Sequence, residues 1–318
     1  MTSETLLLFV SRIRKLTSRI RAYELRSADG NELPIVTAGS HLTIPVVIHG
    51  KADFRHYAIC SNPNQRDFYE IAVLHEATGR GGSQFIRDTF GIDTQFKCAA
   101  PTNNFHVHAN SSPAILIAGG IGIAPIMSIA YTLAARGRRF SLHYAGRSKA
   151  EMAFADELQH NFPHQIHFYS AAEKQRLDIG HLMADASSNT QFYCCGPQKM
   201  LDEIEASAKN LGIDKDRIQQ EHFTAEIHEH DKPVVLELAY SNKLIKVNGD
   251  QPLLAALRDA KLPVKFDCCV GDCGTCAVKI LEGEADHRDH VLSDEQKAQG
   301  FICVCVSRSK TEKLVLAI

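Results

Sequence analysis

Phe266-Asp267-Cys268-Cys269-Val270-Gly271-Asp272-Cys273-Gly274-Thr275-Cys276 is the most informative stretch of this 318-residue chain. Cys268 and Cys273 enclose four residues, and Cys273 and Cys276 enclose two. Six of the ten cysteines fall between Cys268 and Cys305. A C-x4-C-x2-C run followed by a more distant cysteine is the spacing that holds two irons on four thiolates, the plant-type [2Fe–2S] pattern. Gly271 and Gly274 suit such a loop, because glycine reaches positive φ without strain and lets backbone N–H groups turn toward sulfur. The distant ligand is Cys303 or Cys305. Two residues apart on a strand, they face the same side, and spacing alone does not choose. Cys269, inside the loop, reads as a small packing thiol. A structural zinc site is the competing reading. Zinc sites more often pair two short cysteine units, and no second one exists here.

Working outward, residues 234–239 and 243–247 read as strands and 253–260 as a helix. Residues 233–318 thus form a small α+β domain, which a bound cluster would help stabilise. The polar, aperiodic stretch 225–232 reads as a linker. Between 109 and 224 strands alternate with helices. Residues 114–118 are continuously apolar, as in a strand buried on both faces. Further strands are expected at 140–144, 166–169 and 191–194, and helices at 125–136, 150–160 and 198–211. That alternation implies an α/β doubly wound parallel sheet. Residues 1–108 read as short strands at 6–14, 20–25, 42–48, 56–60 and 69–74, with a short helix near 84–89. This is the pattern of a small antiparallel β-barrel.

Bulk properties narrow the function. The net charge of −2 argues against a broad nucleic-acid face. No apolar run approaches the ~20 residues that cross a bilayer. The run at 6–10 is too short for a signal-peptide core. A cytoplasmic location without membrane attachment is therefore expected, and in a reducing cytosol the cysteines are not disulfides.

Two further motifs carry chemistry. Ala118-Gly119-Gly120-Ile121-Gly122-Ile123-Ala124-Pro125 follows a strand and opens a helix. Gly120 and Gly122 would let a pyrophosphate approach the backbone and helix start, and Pro125 suits a first helical turn. Tyr193-Cys194-Cys195-Gly196-Pro197 is a second small-residue turn after a strand. Two such turns point to a dinucleotide. In the barrel, Arg55-His56-Tyr57-Ala58 ends a strand and Gly79-Arg80-Gly81-Gly82-Ser83 opens the short helix. An arginine fork with aimed N–H groups is what a phosphate monoester needs. Tyr57 would stack on a flat ring.

These three signals, in this order, resemble the phthalate dioxygenase reductases, single-chain reductases of Rieske-type oxygenases. The resemblance covers essentially the whole chain. It implies an FMN-binding barrel, an NADH-binding domain and a C-terminal plant-type ferredoxin. By this resemblance Arg55 binds the FMN phosphate with Gly81, Gly82 and Ser83, and Tyr57 packs on the isoalloxazine. Gly120, Gly122, Pro125 and Gly196 border the nicotinamide nucleotide, and Cys195 lies near its ring. Phe223 matches an aromatic placed by the flavin. The family's fourth cluster cysteine precedes a Ser-Arg element. Cys305-Val306-Ser307-Arg308 matches that pattern, so the ligand set is Cys268, Cys273, Cys276 and Cys305. The family usually has serine where Ala58 stands, and the backbone N–H of residue 58 is left to serve flavin N5.

The resemblance implies hydride transfer from NADH to the flavin, then single-electron steps through the cluster to a Rieske-type oxygenase. FAD stays open as the flavin. NADPH stays open as the donor, because Arg147, Ser148 and Lys149 follow the second strand of the nucleotide domain where no acid stands to hold a ribose hydroxyl. A related reductase serving a demethylase, hydroxylase or cytochrome is the alternative. A zinc-bound or redox-sensing scaffold is the non-enzymatic one. His287-Arg288-Asp289 reads either as a partner contact or as a local turn network.

Overall fold

The computed structural model describes residues 5–223 and 231–318. Of the linker expected over 225–232, only Asp231 and Lys232 lie within the described residues. The chain divides into two compact units, Met1–Glu221 and His222–Ile318.

The first unit begins with strands β1 (Thr5–Lys15), β2 (Ile20–Ser27), β3 (Ser40–Ile48), β4 (Lys51–Ala58) and β5 (Tyr69–Leu74). Helix α1 (Gly82–Thr89) and strands β6 (Gln95–Ala99) and β7 (Thr102–Asn103) follow. They form two antiparallel sheets, β5-β2-β1-β6 and β4-β3-β7, bridged at Ile59 and Ile71. The four-stranded sheet curls as a half-barrel, and Leu8, Leu25, Leu42, Ile44 and Ile71 fill the shared interior. Strand β4 starts at Lys51, five residues before the expected 56. His49 and Gly50, both at positive φ, turn the chain so that Ile48 pairs with Lys51. Two positive-φ residues are what a tight hairpin requires, and the polar residues after them hid the strand. Strand β6 was also not expected.

The rest of this unit holds β8 (Ala114–Gly119), α2 (Ile123–Ala135), β9 (Phe140–Gly146), α3 (Ala155–Asn161) and β10 (Ile166–Ser170). It continues with α4 (Ile179–Ala184), β11 (Gln191–Cys195), α5 (Gln198–Leu211) and β12 (Ile218–Glu221). The strands are parallel in the order β10-β9-β8-β11-β12. The chain runs outward from β8 to β10, then returns to β11, so β8 and β11 flank the topological switch point. Ligands of such sheets bind at the strand ends there. Barrel residues Ile20, Ala38, Ala58, Ala72 and Phe105 share one apolar core with α2 and β8. Burying apolar area across that junction explains why barrel and parallel sheet form a single unit. Polar ties add to it: Gly39 N donates to Ser128 Oγ at 3.1 Å, and Arg14 bonds Glu70 and Glu157.

The second unit contains β13 (Val234–Leu238), β14 (Lys243–Val247), α6 (Leu253–Asp259), β15 (Ala277–Glu282) and β16 (Ala285–Asp286). It ends with α7 (Asp294–Ala298), β17 (Phe301–Cys303), β18 (Arg308–Ser309) and β19 (Lys313–Leu316). Its main sheet has the order β14-β13-β19-β15-β17, with α6 packed over a core that includes Leu236, Leu257, Ile302 and Leu314. No helix among the described residues is long and apolar enough to cross a membrane.

Candidate functional site

The two glycine turns, more than seventy residues apart in sequence, meet at the switch point. A Cβ on Gly122 would run into the Cys195 carbonyl and come within 2.8 Å of Gly196 N. A Cβ on Gly119 would meet Pro197 Cδ at 2.6 Å, and one on Gly196 would lie 3.1 Å from Gly119. The turns are thus closed on each other to a distance only glycine permits. Gly120 sits at φ +54 with open space where a side chain would project. That opening is the approach a ligand phosphate needs. Pro125 lies in the first turn of α2, and its carbonyl accepts from Ser128 Oγ at 2.8 Å. Cys195 is wholly buried with its side chain in the core, so its contribution at the turn is its backbone. Arg147 is exposed after β9. Lys149 Nζ lies 3.1 Å from Glu173, an acid that only the fold brings there.

In the barrel, Arg55 lies across the start of α1. A Cβ on Gly82 would strike Arg55 Cγ at 2.5 Å and Nε at 2.6 Å. Arg55 donates to Asp53 Oδ2 at 2.7 Å and to the Arg80 carbonyl at 3.1 Å, which fixes the guanidinium beside the loop. Gly81, at φ +81, caps the helix in a left-handed conformation. Ser83 follows on the first turn. These are the parts of a phosphate cradle: one cation, a tight glycine turn and the free N–H groups of a helix start. Tyr57 stands two residues along β4, and burial raises its phenol. Ala58 is buried at the end of that strand, opposite His41. Phe223 belongs to the second unit, where it is 38% exposed.

In the second unit the cysteine loop turns through three left-handed residues, Cys269, Gly271 and Gly274, at φ +57, +89 and +71. A Cβ on Gly271 would meet Val306 Cγ2 at 2.9 Å, so this glycine lets the loop close on the segment that carries Cys305. The thiols gather in two sets. Cys273 is drawn down to about 6 by a hydrogen bond from Cys268, and Cys276 to about 3 by bonds from Cys303 and then Cys305. Two sets, each with a favoured thiolate, suit a cluster that takes two sulfurs on each iron. Both Cys303 and Cys305 reach Cys276. The Ser-Arg element locks the turn after Cys305: Ser307 Oγ donates to buried Asp289 at 3.2 Å, and Arg308 donates to the carbonyls of Asn248 and Gln251. His287-Arg288-Asp289 takes part in an internal network. Arg288 bonds Asp231 and Asp286, and Asp289 is fully buried.

Sequence reading missed several positioning residues. The buried Tyr144 phenol donates to the Gly120 carbonyl at 3.1 Å and holds the open turn. Its only signal was an aromatic residue in an apolar strand. His222 donates from its backbone N to Asp272 Oδ2 at 3.0 Å, bonds Oδ1 through Nδ1, and stacks on His290 with ring centroids 3.9 Å apart. That set braces the cysteine loop, and nothing local in the sequence linked its members.

Residues 237–310 match the family described as 2Fe-2S iron-sulfur cluster binding domain. Residues 97–218 match the N-terminal domain of dimethylamine monooxygenase subunit DmmA-like proteins. The chain is 34% identical over 312 residues to a vanillate O-demethylase oxidoreductase of Acinetobacter baylyi, covering 96% of this chain and 97% of that one. It aligns with the solved structure of phthalate dioxygenase reductase at TM-score 0.79 and 33% identity, over 99% of this chain and 98% of that one. It also matches an intact self-sufficient cytochrome P450 monooxygenase at TM-score 0.77 and 33% identity, but spans only 41% of that longer chain.

Proposed function

The chain belongs to the phthalate dioxygenase reductase family, an oxidoreductase that moves electrons from a nicotinamide nucleotide through flavin and a [2Fe–2S] cluster, and from that premise we propose that its acceptor is a Rieske-type oxygenase in the cytoplasm. The observation that carries the reading is the presence, in one chain, of the closed glycine turns at the switch point, the Arg55 cradle and the four-cysteine loop. The flavin, when bound, accepts a two-electron hydride and releases electrons singly, which a one-electron cluster requires.

Arg55 and the backbone N–H groups of Gly81, Gly82 and Ser83 would hold the FMN phosphate in this reading, and Tyr57 would cover one face of the isoalloxazine. The N–H of Ala58 serves flavin N5 in place of the serine hydroxyl usual in the family. Gly120, Gly122, Pro125, Cys195 and Gly196 seat the nicotinamide end of NADH, with Arg147 toward the ribose. The Lys149–Glu173 pair offsets one of the two cations that a 2′-phosphate would need, which favours NADH over NADPH. By the family resemblance Phe223 would be the flavin-side aromatic. Cys268 and Cys273 would hold one iron, and Cys276 and Cys305 the other. The proposed domains are 1–108 for flavin, 109–224 for nucleotide and 233–318 for the cluster.

One observation supports a second acceptor. A chain with this architecture forms part of a self-sufficient cytochrome P450, so a haem acceptor is the alternative. Reconstitution decides between them. The purified reductase is mixed with NADH and either a Rieske-type O-demethylase or phthalate-class oxygenase component, or a P450 haem domain. Substrate turnover with the Rieske component is expected. Turnover with the haem domain alone would overturn the proposed partner.

A further inference from the structure

Beside α1, on the face turned away from Arg55, lies a cavity of about 110 Å³ that the electron-transfer reading does not use. Lys15, Arg19, Arg21 and Arg87 line it, together with Ser83, and no carboxylate does. Among the described residues none of these four cations has an ion-pair partner. Four like charges around a small hollow repel one another unless an anion joins them.

The rim is built rather than loose. Thr17 is buried, and its hydroxyl accepts from the N–H groups of Arg19 and Ile20 at 3.2 and 3.0 Å, fixing the turn between β1 and β2. That turn is tied to the end of β5, where His75 N donates to the Arg19 carbonyl at 2.8 Å. The next residue is tied to the helix, with Glu76 N donating to Ser83 Oγ at 3.2 Å. Ser83 then keeps its hydroxyl hydrogen for an acceptor in the cavity. Tyr23, bonded by Arg21, and Val73 form the buried floor. Glu24, Glu76 and Asp88 each adjoin a lining residue in sequence. All three lie outside the lining; Glu24 is paired with Arg26, and Asp88 is engaged by Gln84. The helix separates this cavity from the flavin cradle: Gly82 backs onto Arg55, whereas Ser83 and Arg87, one turn apart, face the cavity.

We propose that this pocket binds a phosphoryl group, held by arginine forks and the Ser83 hydroxyl as phosphate esters are elsewhere. The group belongs to a soluble phosphate ester separate from the flavin. Calorimetric titration of the FMN-loaded protein with sodium pyrophosphate is the test. Saturable one-to-one binding is expected, weakened at least about tenfold in the double variant Arg19→Ala, Arg87→Ala. Lys15→Ala, at an exposed rim position, weakens it to a smaller extent and serves if the double variant melts early. No saturable heat, or equal affinity in wild type and both variants, would overturn the proposal.

Discussion

Gly122→Ala tests the account of the nucleotide site at its tightest point. The added methyl points at the Cys195 carbonyl and Gly196 N, both backbone atoms that no rotamer change can move. The β8 and β11 turns would have to part by about 1 Å, and a displacement of that size at a reacting centre costs on the order of 100-fold in rate. Overpacking at a closed site also costs about 1–3 kcal/mol of stability. Gly137→Ala is the control. It lies past the end of α2 at φ +62 with open space around it, so it pays only backbone strain of about 1–2 kcal/mol and leaves the turns in place. The assay is stopped-flow reduction of the bound flavin by NADH, with flavin content and melting temperature measured on each variant. The expected result is flavin retained in both variants, with reduction slowed about 100-fold in Gly122→Ala alone. Wild-type reduction rates in a fully folded Gly122→Ala protein would refute the idea that the closed turns set the nucleotide's position.

Cys305→Ser should lose the cluster and Cys303→Ser should keep it, as read by iron content and the reduced-state electron paramagnetic resonance signal; equal loss in both would defeat the choice of Cys305. Arg55→Ala removes the cation at the flavin cradle, worth about 1.5–3 kcal/mol for a charge-assisted bond, so flavin should dissociate on dilution at concentrations where wild type stays loaded. Arg288→Ala leaves Asp231, 9% exposed, without its main partner, and should cost about 3–5 kcal/mol, seen as earlier thermal bleaching of the cluster. His143 is held down to about 4 by burial and then by His167, so the folded protein binds this proton less readily than the unfolded chain, whose imidazole titrates near 6.5. Stability should therefore be full above about pH 6.5 and fall by up to about 3 kcal/mol as the pH drops toward 4. His143→Gln should flatten that slope, and an unchanged slope would show that another group causes it.

The cysteine loop was legible because iron chemistry dictates both residue type and spacing, and the glycine turns because close approach admits no side chain. That the two turns touch was not legible, since it depends on the strand order that places β11 beside β8. The early start of strand β4 was hidden because Lys51 and Ala52 are exposed, Asp53 is half-buried, and the three carry no hydrophobic alternation. Strands β6 and β12 went unread for a similar reason: each is short, and only its pairing partner defines it. The role of Arg288 and Asp289 could not be decided from a charged tripeptide. The internal part of that role comes from Asp231 and Ser307, in distant parts of the chain. Tyr144 and the His222–Asp272 pair were missed because a supporting hydrogen bond leaves no local motif.

The most direct test of the whole account is an anaerobic titration of the purified protein with NADH, followed by visible absorbance and electron paramagnetic resonance. Flavin and iron–sulfur absorbance should both bleach, and the signal of a reduced [2Fe–2S] cluster should appear. A protein that binds zinc instead of iron, or whose cluster stays oxidised while the flavin is reduced, would contradict it.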